Sequence, residues 1–345
     1  MIEMNMELLK KLCLTDGVSS GEDKVRELII SEIKDHADSI ETDSSGNLIV
    51  FKKGEQQPKH KLLLSAHMDE VGFIVTHANA DGTLCVDEVG GIDRRVILGK
   101  KVRLCESDIY GVFGVKPIHL SNGDEAGKIP KLSDMYIDIG AKDKSDAENH
   151  VVIGELAAFE GYYEENEQAI IAKALDDRAG CAVLIELIKS ELPYDMYFTF
   201  VVQEEVGLRG AKTAAYTVAP EFAIVVETTT AADIPGVEES KRVCKLGEGA
   251  VISFMDRRTL YDKQLYKKTF SAAQKAGVKA QAKQAVAGGN DSGVISTTKG
   301  GVRTIAVSLP CRYLHSAHTV AYKEDLIAVE KTVRELAVKI AVGDI

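Results

Sequence analysis

Two histidines and several carboxylic acids stand where an apolar run of the sequence ends or where a predicted helix begins. They are His67, Asp69, Asp176, Asp177, Glu204, Glu205, Glu227 and His315. Imidazole and carboxylate groups are side chains that bind zinc, cobalt and manganese in proteins. If the fold brings these distant segments together, the residue types predict a divalent-metal site.

The spacing of these residues gives neighbours different tasks. Residues two apart in an extended segment point the same way, so Asp69 can lie behind His67 and accept its second ring N–H. Adjacent residues point in opposite directions, so Glu204 and Glu205 should not do the same job. One of them can bind a metal while the other reaches a water molecule.

Each candidate also has a purely structural interpretation. An Asp before a helix is an ordinary N-cap, which explains one member of the pair Asp176 and Asp177 but does not require two. A single histidine such as His67 or His315 is more often a core residue than a metal ligand. Only the combination of the histidines with the ordered acids favours a metal centre.

The elements that must position these residues alternate between strand and helix after Tyr163. Apolar runs such as "MYFTFVVQ", "EFAIVVE" and "RTIAVSLP" predict strands, and "RAGCAVLIELIKS" and "KEDLIAVEKTVRELAVKIAV" predict helices. Such alternation is typical of an α/β fold with a mostly parallel sheet covered by helices. The candidate residues then fall at the carboxyl ends of strands, where ligands bind in open α/β sheets.

Between about residues 70 and 163 the pattern changes to short extended runs separated by Gly, Asn and Asp turns. No long helix is predicted there, and the pattern indicates a small β-barrel or sandwich. A chain of 345 residues has room for about two domains. We therefore predict a catalytic domain in two segments, 1–69 and 164–345, with an inserted β-barrel domain at 70–163.

The composition excludes several other classes of protein. A net charge of −11 argues against a partner such as nucleic acid or an anionic membrane surface, which requires a basic face. No stretch reaches the ~20 apolar residues of a membrane span, and no secretory signal pattern is visible. The six cysteines are scattered without a C-x-x-C pair, which favours reduced thiols and a cytoplasmic location.

Six motifs carry a resemblance to a known family. In order along the chain they are "SAHMDEVGF", "ALDDRAG", "VVQEEVGLRGA", "ETTTAADIPG", "GGNDSG" and "CRYLHS". They resemble the M42 family of dinuclear metallo-aminopeptidases, which includes the tetrahedral aminopeptidases and proteins once labelled endoglucanase M. The resemblance covers nearly the whole chain. It implies an exopeptidase that removes N-terminal residues from short peptides, and a homo-oligomer, typically a tetrahedral dodecamer, in which the inserted domain takes part.

The resemblance also implies a ligand set for two divalent ions, with zinc or cobalt favoured and manganese also suited. His67 and Glu227 resemble the ligands of one ion, and His315 and Glu205 resemble those of the other. Asp176 resembles the acid that bridges both ions. Relatives often have Asp where this chain has Glu227, so the longer side chain is a departure from the family pattern.

The remaining roles follow from the same resemblance. Glu204 resembles the general base, which takes a proton from a water activated by the two ions, and Asp69 resembles the partner behind His67. The bond joining Asp176 to Asp177 is commonly cis in relatives. His318 stands where an acid is common in the family, and we expect it not to be a ligand.

Other residues and functions stay open at this stage. Asn290 and Asp291, in "GGNDSG", are substrate contacts or a turn that caps a helix, while Gly90 and Gly91 are interpreted as ordinary turn residues. His119 has no predicted role. A glycosidase with Glu204 in a carboxylate pair is an alternative, but it leaves the histidines unexplained and the chain has no Trp to stack on sugars. A non-catalytic relative of the family is a third alternative.

Overall fold

A computed structural model describes residues 4–120 and 127–345 of the chain. The helices are α1 (Met6–Leu14), α2 (Asp23–Ile33), α3 (Lys144–Glu148), α4 (Leu175–Lys189), α5 (Arg209–Val218), α6 (Lys263–Lys275), α7 (Ser292–Ile295) and α8 (Lys323–Val342). Short 3-10 turns lie at Arg94–Val96, Ile118–Leu120, Leu132–Asp134 and Glu239–Lys241.

The strands fall into three systems: a large sheet, a closed barrel and a small sheet. They are β1 (Ser39–Thr42), β2 (Leu48–Lys52), β3 (Leu62–His67), β4 (Gly72–Ala78), β5 (Leu84–Val89), β6 (Lys101–Leu104), β7 (Tyr110–Val115), β8 (Met135–Asp138), β9 (Leu156–Phe159), β10 (Tyr163–Glu165), β11 (Ala169–Ala172), β12 (Met196–Val201), β13 (Phe222–Thr230), β14 (Ala250–Ile252), β15 (Ala280–Ala282), β16 (Arg303–Cys311) and β17 (Thr319–Tyr322).

The large sheet has the strand order β1-β2-β12-β3-β13-β16-β14-β15. Its four central strands, β12, β3, β13 and β16, are parallel to one another. Strands β1, β2 and β14 pair antiparallel with their inner neighbours. The mixed, mostly parallel α/β fold predicted from the sequence is thereby confirmed.

Both faces of the central strands are covered, which explains why these strands are continuous apolar runs. In β3 every residue is buried; Leu62, Leu64 and Ala66 pack into the larger core, while Leu63 packs on the opposite face. Helices α1, α2, α4, α6 and α8 contribute to the larger core, and α5 and α7 cover the other face. The sheet is therefore a rigid layer whose strand ends hold the loops of the site.

The inserted β structure is a closed barrel with the strand order β4-β5-β8-β7-β6-β9. Its core is separate from that of the sheet and contains the packed rings of Phe73, Phe113 and Phe159. All its strands lie between residues 72 and 159, inside the segment 70–163. The domain boundaries themselves stay a prediction. The small antiparallel sheet β10-β11-β17 follows the barrel.

Two further expectations concern the whole chain. All six cysteines are free thiols, as predicted, and four of them are buried. Among residues 4–120 and 127–345, no helix has both the length and the apolar character needed to cross a bilayer.

A buried ion cluster joins the barrel to the sheet close to the candidate residues. The ammonium of Lys173 donates to Asp16 at 2.7 Å and to Glu70 at 3.0 Å. Arg178 donates to the same oxygen of Glu70 at 3.2 Å, and Arg103, on barrel strand β6, donates to Asp16 at 2.7 Å. Except for the partly exposed Arg103, these side chains are almost fully excluded from solvent. Removing one partner would therefore leave a buried charge uncompensated.

Replacing Lys173 with Met should lower the free energy of unfolding by about 3–5 kcal/mol, because Asp16 and Glu70 would lose their shared cation in a buried setting. The matched control is Lys101→Met, which breaks an exposed pair with Glu160 on the barrel surface and should cost less than about 1 kcal/mol. Urea unfolding followed by circular dichroism measures both. Equal midpoints for the two variants would contradict the importance given to this cluster.

Candidate metal centre

The candidate residues meet at one edge of the large sheet, where its parallel strands end. His67 is the last residue of β3, and Glu204 and Glu205 lie in the loop that follows β12. Glu227 lies inside β13, which continues three residues further than the sequence indicates, and His315 follows β16. Asp176 lies at the start of α4. The structure therefore brings together every residue that the sequence nominates as a metal ligand.

His67 faces two carboxylates with one ring nitrogen. Its Nε2 lies 3.3 Å from Oδ1 of Asp176 and 3.4 Å from Oε1 of Glu227. Its other nitrogen, Nδ1, lies 3.0 Å from the backbone carbonyl oxygen of Asp69. Since a carbonyl oxygen only accepts, Nδ1 carries the proton, and the lone pair of Nε2 in the neutral ring points at the carboxylates.

His315 repeats this arrangement on the other side of Asp176. Its Nε2 lies 3.5 Å from Oδ2 of Asp176 and 3.2 Å from Oε1 of Glu205. Its Nδ1 donates to the carbonyl oxygen of Gly91 at 2.7 Å, which again leaves the Nε2 lone pair for a ligand. The two oxygens of one carboxylate therefore each face a different imidazole.

The distances within this cluster fit a divalent cation. Two ligand atoms bound tetrahedrally to one ion at about 2.0–2.2 Å lie roughly 3.3–3.6 Å apart. The separations of 3.2–3.5 Å between imidazole nitrogens and carboxylate oxygens fall close to this range. Ligand atoms of His67, Asp176 and Glu205 also lie within 4.8 Å of one another. Because a nitrogen lone pair and a carboxylate oxygen repel each other, a proton or a metal ion must lie between them.

The two adjacent aspartates have different tasks, which explains why the chain needs both. The peptide bond between Asp176 and Asp177 is cis, as the family resemblance implies. The backbone of both residues is not helical, and the carboxylate of Asp177 accepts from Gly180 N at 2.9 Å and from His67 N at 3.3 Å. The carboxylate of Asp177 therefore acts as the helix N-cap, which is the structural role considered for one of the two aspartates. Asp176 is left to face the histidines.

Asp69 differs in part from the expectation. The nearest acceptor for the ring of His67 is the backbone carbonyl of Asp69, whereas its carboxylate lies 3.4 Å from Nδ1. That carboxylate accepts from Ser19 Oγ at 2.6 Å, Glu204 N at 2.9 Å and Glu205 N at 3.1 Å. Asp69 thus fixes the backbone of both glutamates as well as the tautomer of His67.

Gly91 makes a contact that its interpretation as an ordinary turn residue did not predict. Its carbonyl oxygen orients His315, although the two residues are far apart in the sequence. Gly90 has a φ of +83°, and a Cβ atom there would lie 2.8 Å from a methyl of Val71 and 3.2 Å from Cβ of Glu205. No local sequence signal indicates this contact, because it joins the loop between barrel strands β5 and β6 to the segment after β16.

The comparisons with known proteins agree with this geometry. Residues 46–332 match the sequence profile of the family described as M42 glutamyl aminopeptidase. The chain belongs to the M42 peptidase family. A protein of Acetivibrio thermocellus whose name places it among aminopeptidases is 39% identical over 93% of this chain and 94% of its own. The lysyl aminopeptidase of Pyrococcus furiosus is 33% identical over 94% of each chain.

A solved structure of this family also superposes on the chain. It is the Pyrococcus horikoshii TET1 peptidase, described as able to assemble into a tetrahedron or a large octahedral shell. Its TM-score is 0.84 with 35% identity, over 96% of this chain and 98% of the other. The fold of this M42 peptidase is therefore that of a known peptidase. The names of its relatives differ in the residue that they release.

Burial and the density of acids dominate the electrostatics of the centre. Burial raises the pKa of Glu204 well above its usual value, and burial together with Asp176 raises the pKa of Glu227 to about 8. Burial would also raise the pKa of Asp176, but hydrogen bonds and charge from the imidazoles of His315 and His67, when these rings are protonated, hold it well below its usual value. This excess of buried acids over imidazoles favours the binding of cations.

The crevice beside the centre is a cavity of about 160 Å³. Besides the predicted acids and His315, its lining residues include Thr228, Lys283 and Asn290. Asn290 was predicted as a substrate contact or a turn residue. Its Oδ1 accepts from Ser292 N at 2.9 Å, which agrees with the turn, and the substrate contact stays a prediction. Lys283 was missed because it stands in none of the six motifs, and Thr228, although it stands in "ETTTAADIPG", was given no role.

The other two histidines singled out in the sequence do not join the centre. The ring of His318 packs edge-on against Tyr162 with centroids 4.5 Å apart, and it is not part of the groups of possible metal ligands found in the described residues. This agrees with the expectation that His318 is not a ligand. His119 lies on an exposed 3-10 turn and has no role in the site.

Replacing Asp69 with Asn should weaken zinc binding by about 10- to 100-fold, because partners that orient metal ligands have effects of that size. The matched control is Glu155→Gln in the barrel. Glu155 is also buried and accepts from two backbone amides and a serine hydroxyl, but it lies away from the centre. Calorimetric titration with zinc measures both variants, and equal affinities for the two would contradict the role given to Asp69.

Proposed function

We propose that this M42 peptidase is a metal-dependent aminopeptidase that binds two divalent cations and releases N-terminal residues from short peptides. The observation that carries the proposal is the position of Asp176. Its two oxygens face His67 and His315 separately, and each histidine has a second carboxylate of its own. A single carboxylate shared by two such ligand sets is an arrangement suited to a pair of ions.

The residues that would hold the ions follow from these contacts. His67 and Glu227 would bind one ion, and His315 and Glu205 would bind the other, with Asp176 shared between them. Zinc and cobalt suit this mixture of imidazole and carboxylate best, and manganese is also compatible. When bound, such ions polarise a carbonyl oxygen and make water a stronger acid.

Glu204 is the side chain that we assign as general base. The carboxylate of Asp69 holds the backbone of Glu204 at the crevice. The side chain of Glu204 is not among the proposed metal ligands, so it is left to act on the water. Because burial raises its pKa, Glu204 can take the proton of the attacking water and donate it to the amine of the departing peptide. Asp69 supports this step by fixing the backbone of Glu204.

The crevice also supports a preference for free N-termini. Its walls include the carboxylates of Glu204, Glu205 and Glu227, which attract the α-ammonium group of a peptide. A cavity of about 160 Å³ has room for roughly one side chain, since a cavity of about 150 Å³ holds a benzene molecule. The chain end would therefore enter the crevice in preference to an internal residue.

The cysteines and a solved relative support a location and an assembly for this chain. Free, mostly buried cysteines agree with a cytoplasmic location. The assembly described for the Pyrococcus horikoshii relative supports a homo-oligomer, and we propose a tetrahedral dodecamer for this chain. A glycosidase would use two carboxylates and would leave the imidazoles of His67 and His315 without a task.

Removal of metal should abolish peptidase activity. Treatment with EDTA should eliminate hydrolysis of aminoacyl-p-nitroanilides, and addition of zinc or cobalt to the apo-protein should restore it, because the proposed chemistry depends on both ions. Metal analysis of the reactivated protein should give about two ions per chain. Full activity after exhaustive chelation, or a single ion at saturating metal, would contradict the two-metal proposal.

Replacing Glu204 with Gln should reduce kcat by roughly 10² to 10⁴-fold while both ions remain bound, because the amide cannot accept the proton of water. The adjacent substitution Glu205→Gln is the informative contrast, since it should lose metal from the His315 side. Steady-state kinetics and metal content distinguish the two variants. If Glu204→Gln hydrolyses peptides at the parental rate, another residue is the base.

A further inference from the structure

A small cavity lies between the buried ion cluster and the metal centre. Its volume is about 10 Å³, which is close to the smallest space that holds one water molecule. The polar part of its wall includes Glu70 and Lys173 from the ion cluster and Asp176, Glu205 and His315 from the proposed ligands. A single water molecule in this cavity can therefore contact both groups of residues.

The ion cluster does not use all of its hydrogen-bonding groups. An ammonium has three N–H bonds, and that of Lys173 has two acceptors in the described part of the chain, Asp16 at 2.7 Å and Glu70 at 3.0 Å. The carboxylate of Glu70 receives its donors on a single oxygen. Gly17 N, Lys173 and Arg178 all donate to its Oε1. One N–H of Lys173 and the Oε2 atom of Glu70 are thus left for another partner.

The carboxylate of Glu205 has a similar gap on the other side of the cavity. Its Oε1 lies 3.2 Å from Nε2 of His315, and the side chain is only 6% exposed. Its Oε2 accepts no hydrogen bond from residues 4–120 and 127–345. Carboxylates that bind metal ions are usually oriented by hydrogen bonds of their own. A donor placed in the cavity would supply this bond to Glu205.

One water molecule matches the three unused groups. A buried water typically makes about three hydrogen bonds to polar groups that have no other partner. It can accept from the ammonium of Lys173 and donate to the Oε2 atoms of Glu70 and Glu205. Filling the cavity with an apolar group instead would leave these buried polar groups without a partner, which costs free energy.

We propose that the cavity binds one water molecule that joins Lys173 and Glu70 to Glu205. Lys173 is then a positioning residue for the ion held by Glu205 and His315. The inference rests on the proposed two-metal function, because it takes Glu205 to be a ligand. It gives the ion cluster a second task besides stability, which is to set the affinity of one metal site. The other site should be unaffected, since His67 does not line the cavity.

The first test removes the cation. Lys173→Met should weaken zinc binding at the site of His315 and Glu205 by about 10- to 100-fold and leave the other site unchanged. Arg103→Met is the matched control, because Arg103 donates to Asp16 in the same cluster but does not line the cavity. Calorimetric titration with zinc measures both affinities, and His315→Ala identifies the binding step that belongs to its site. A loss shared by both sites, or an equal loss in Arg103→Met, would overturn the proposal.

A second variant fills the cavity and keeps every charge in place, so it remains informative if Lys173→Met fails to fold. Val71 lines the cavity, and Val71→Ile adds one carbon atom that should displace the water. Zinc binding at the site of Glu205 should again weaken by about 10- to 100-fold. Val102→Ile adds the same carbon to the buried core of the barrel, away from the cavity, and should change neither affinity.

A high-resolution crystal structure of the zinc-loaded parent protein tests the water itself. Density for one water within about 3.2 Å of Lys173 Nζ and of an oxygen of both Glu70 and Glu205 is expected, and its absence would overturn the proposal. So would full zinc affinity in Val71→Ile crystals that lack the water. A parent protein that binds no zinc refutes the metal-dependent function, whereas two bound ions without the water refute only the further inference.

Discussion

The carboxylate of Asp176 lies between two imidazole rings, and the rest of the centre is arranged around this contact. His67 comes from an early strand of the sheet and His315 from the segment after a late strand. The centre therefore forms only when these distant parts of the chain are folded together. Parallel strands bring them together because their carboxyl ends share one edge. The buried apolar sheet makes that edge rigid, which a ligand geometry held to tenths of an ångström requires.

Support for the contact comes from backbone groups more than from further side chains. The carbonyl oxygens of Asp69 and Gly91 fix the tautomers of the two histidines, and the amides of Glu204 and Glu205 are fixed by the carboxylate of Asp69. Gly91 follows a barrel strand, so the barrel contributes directly to the orientation of His315. A change in the packing of the barrel would therefore alter the orientation of the His315 ring through its hydrogen bond with Gly91.

The sequence predicted the parts of the centre that depend on local pattern. Apolar runs located the strands, and the position of His67 or Glu205 at a strand end follows from that. Asp177 as a helix N-cap was also within reach of local rules. The contact between Gly91 and His315 was not, because it joins a loop of the barrel to the segment after β16. Lys283 was missed for a different reason: a lysine becomes informative only when its burial at the wall of the crevice is known.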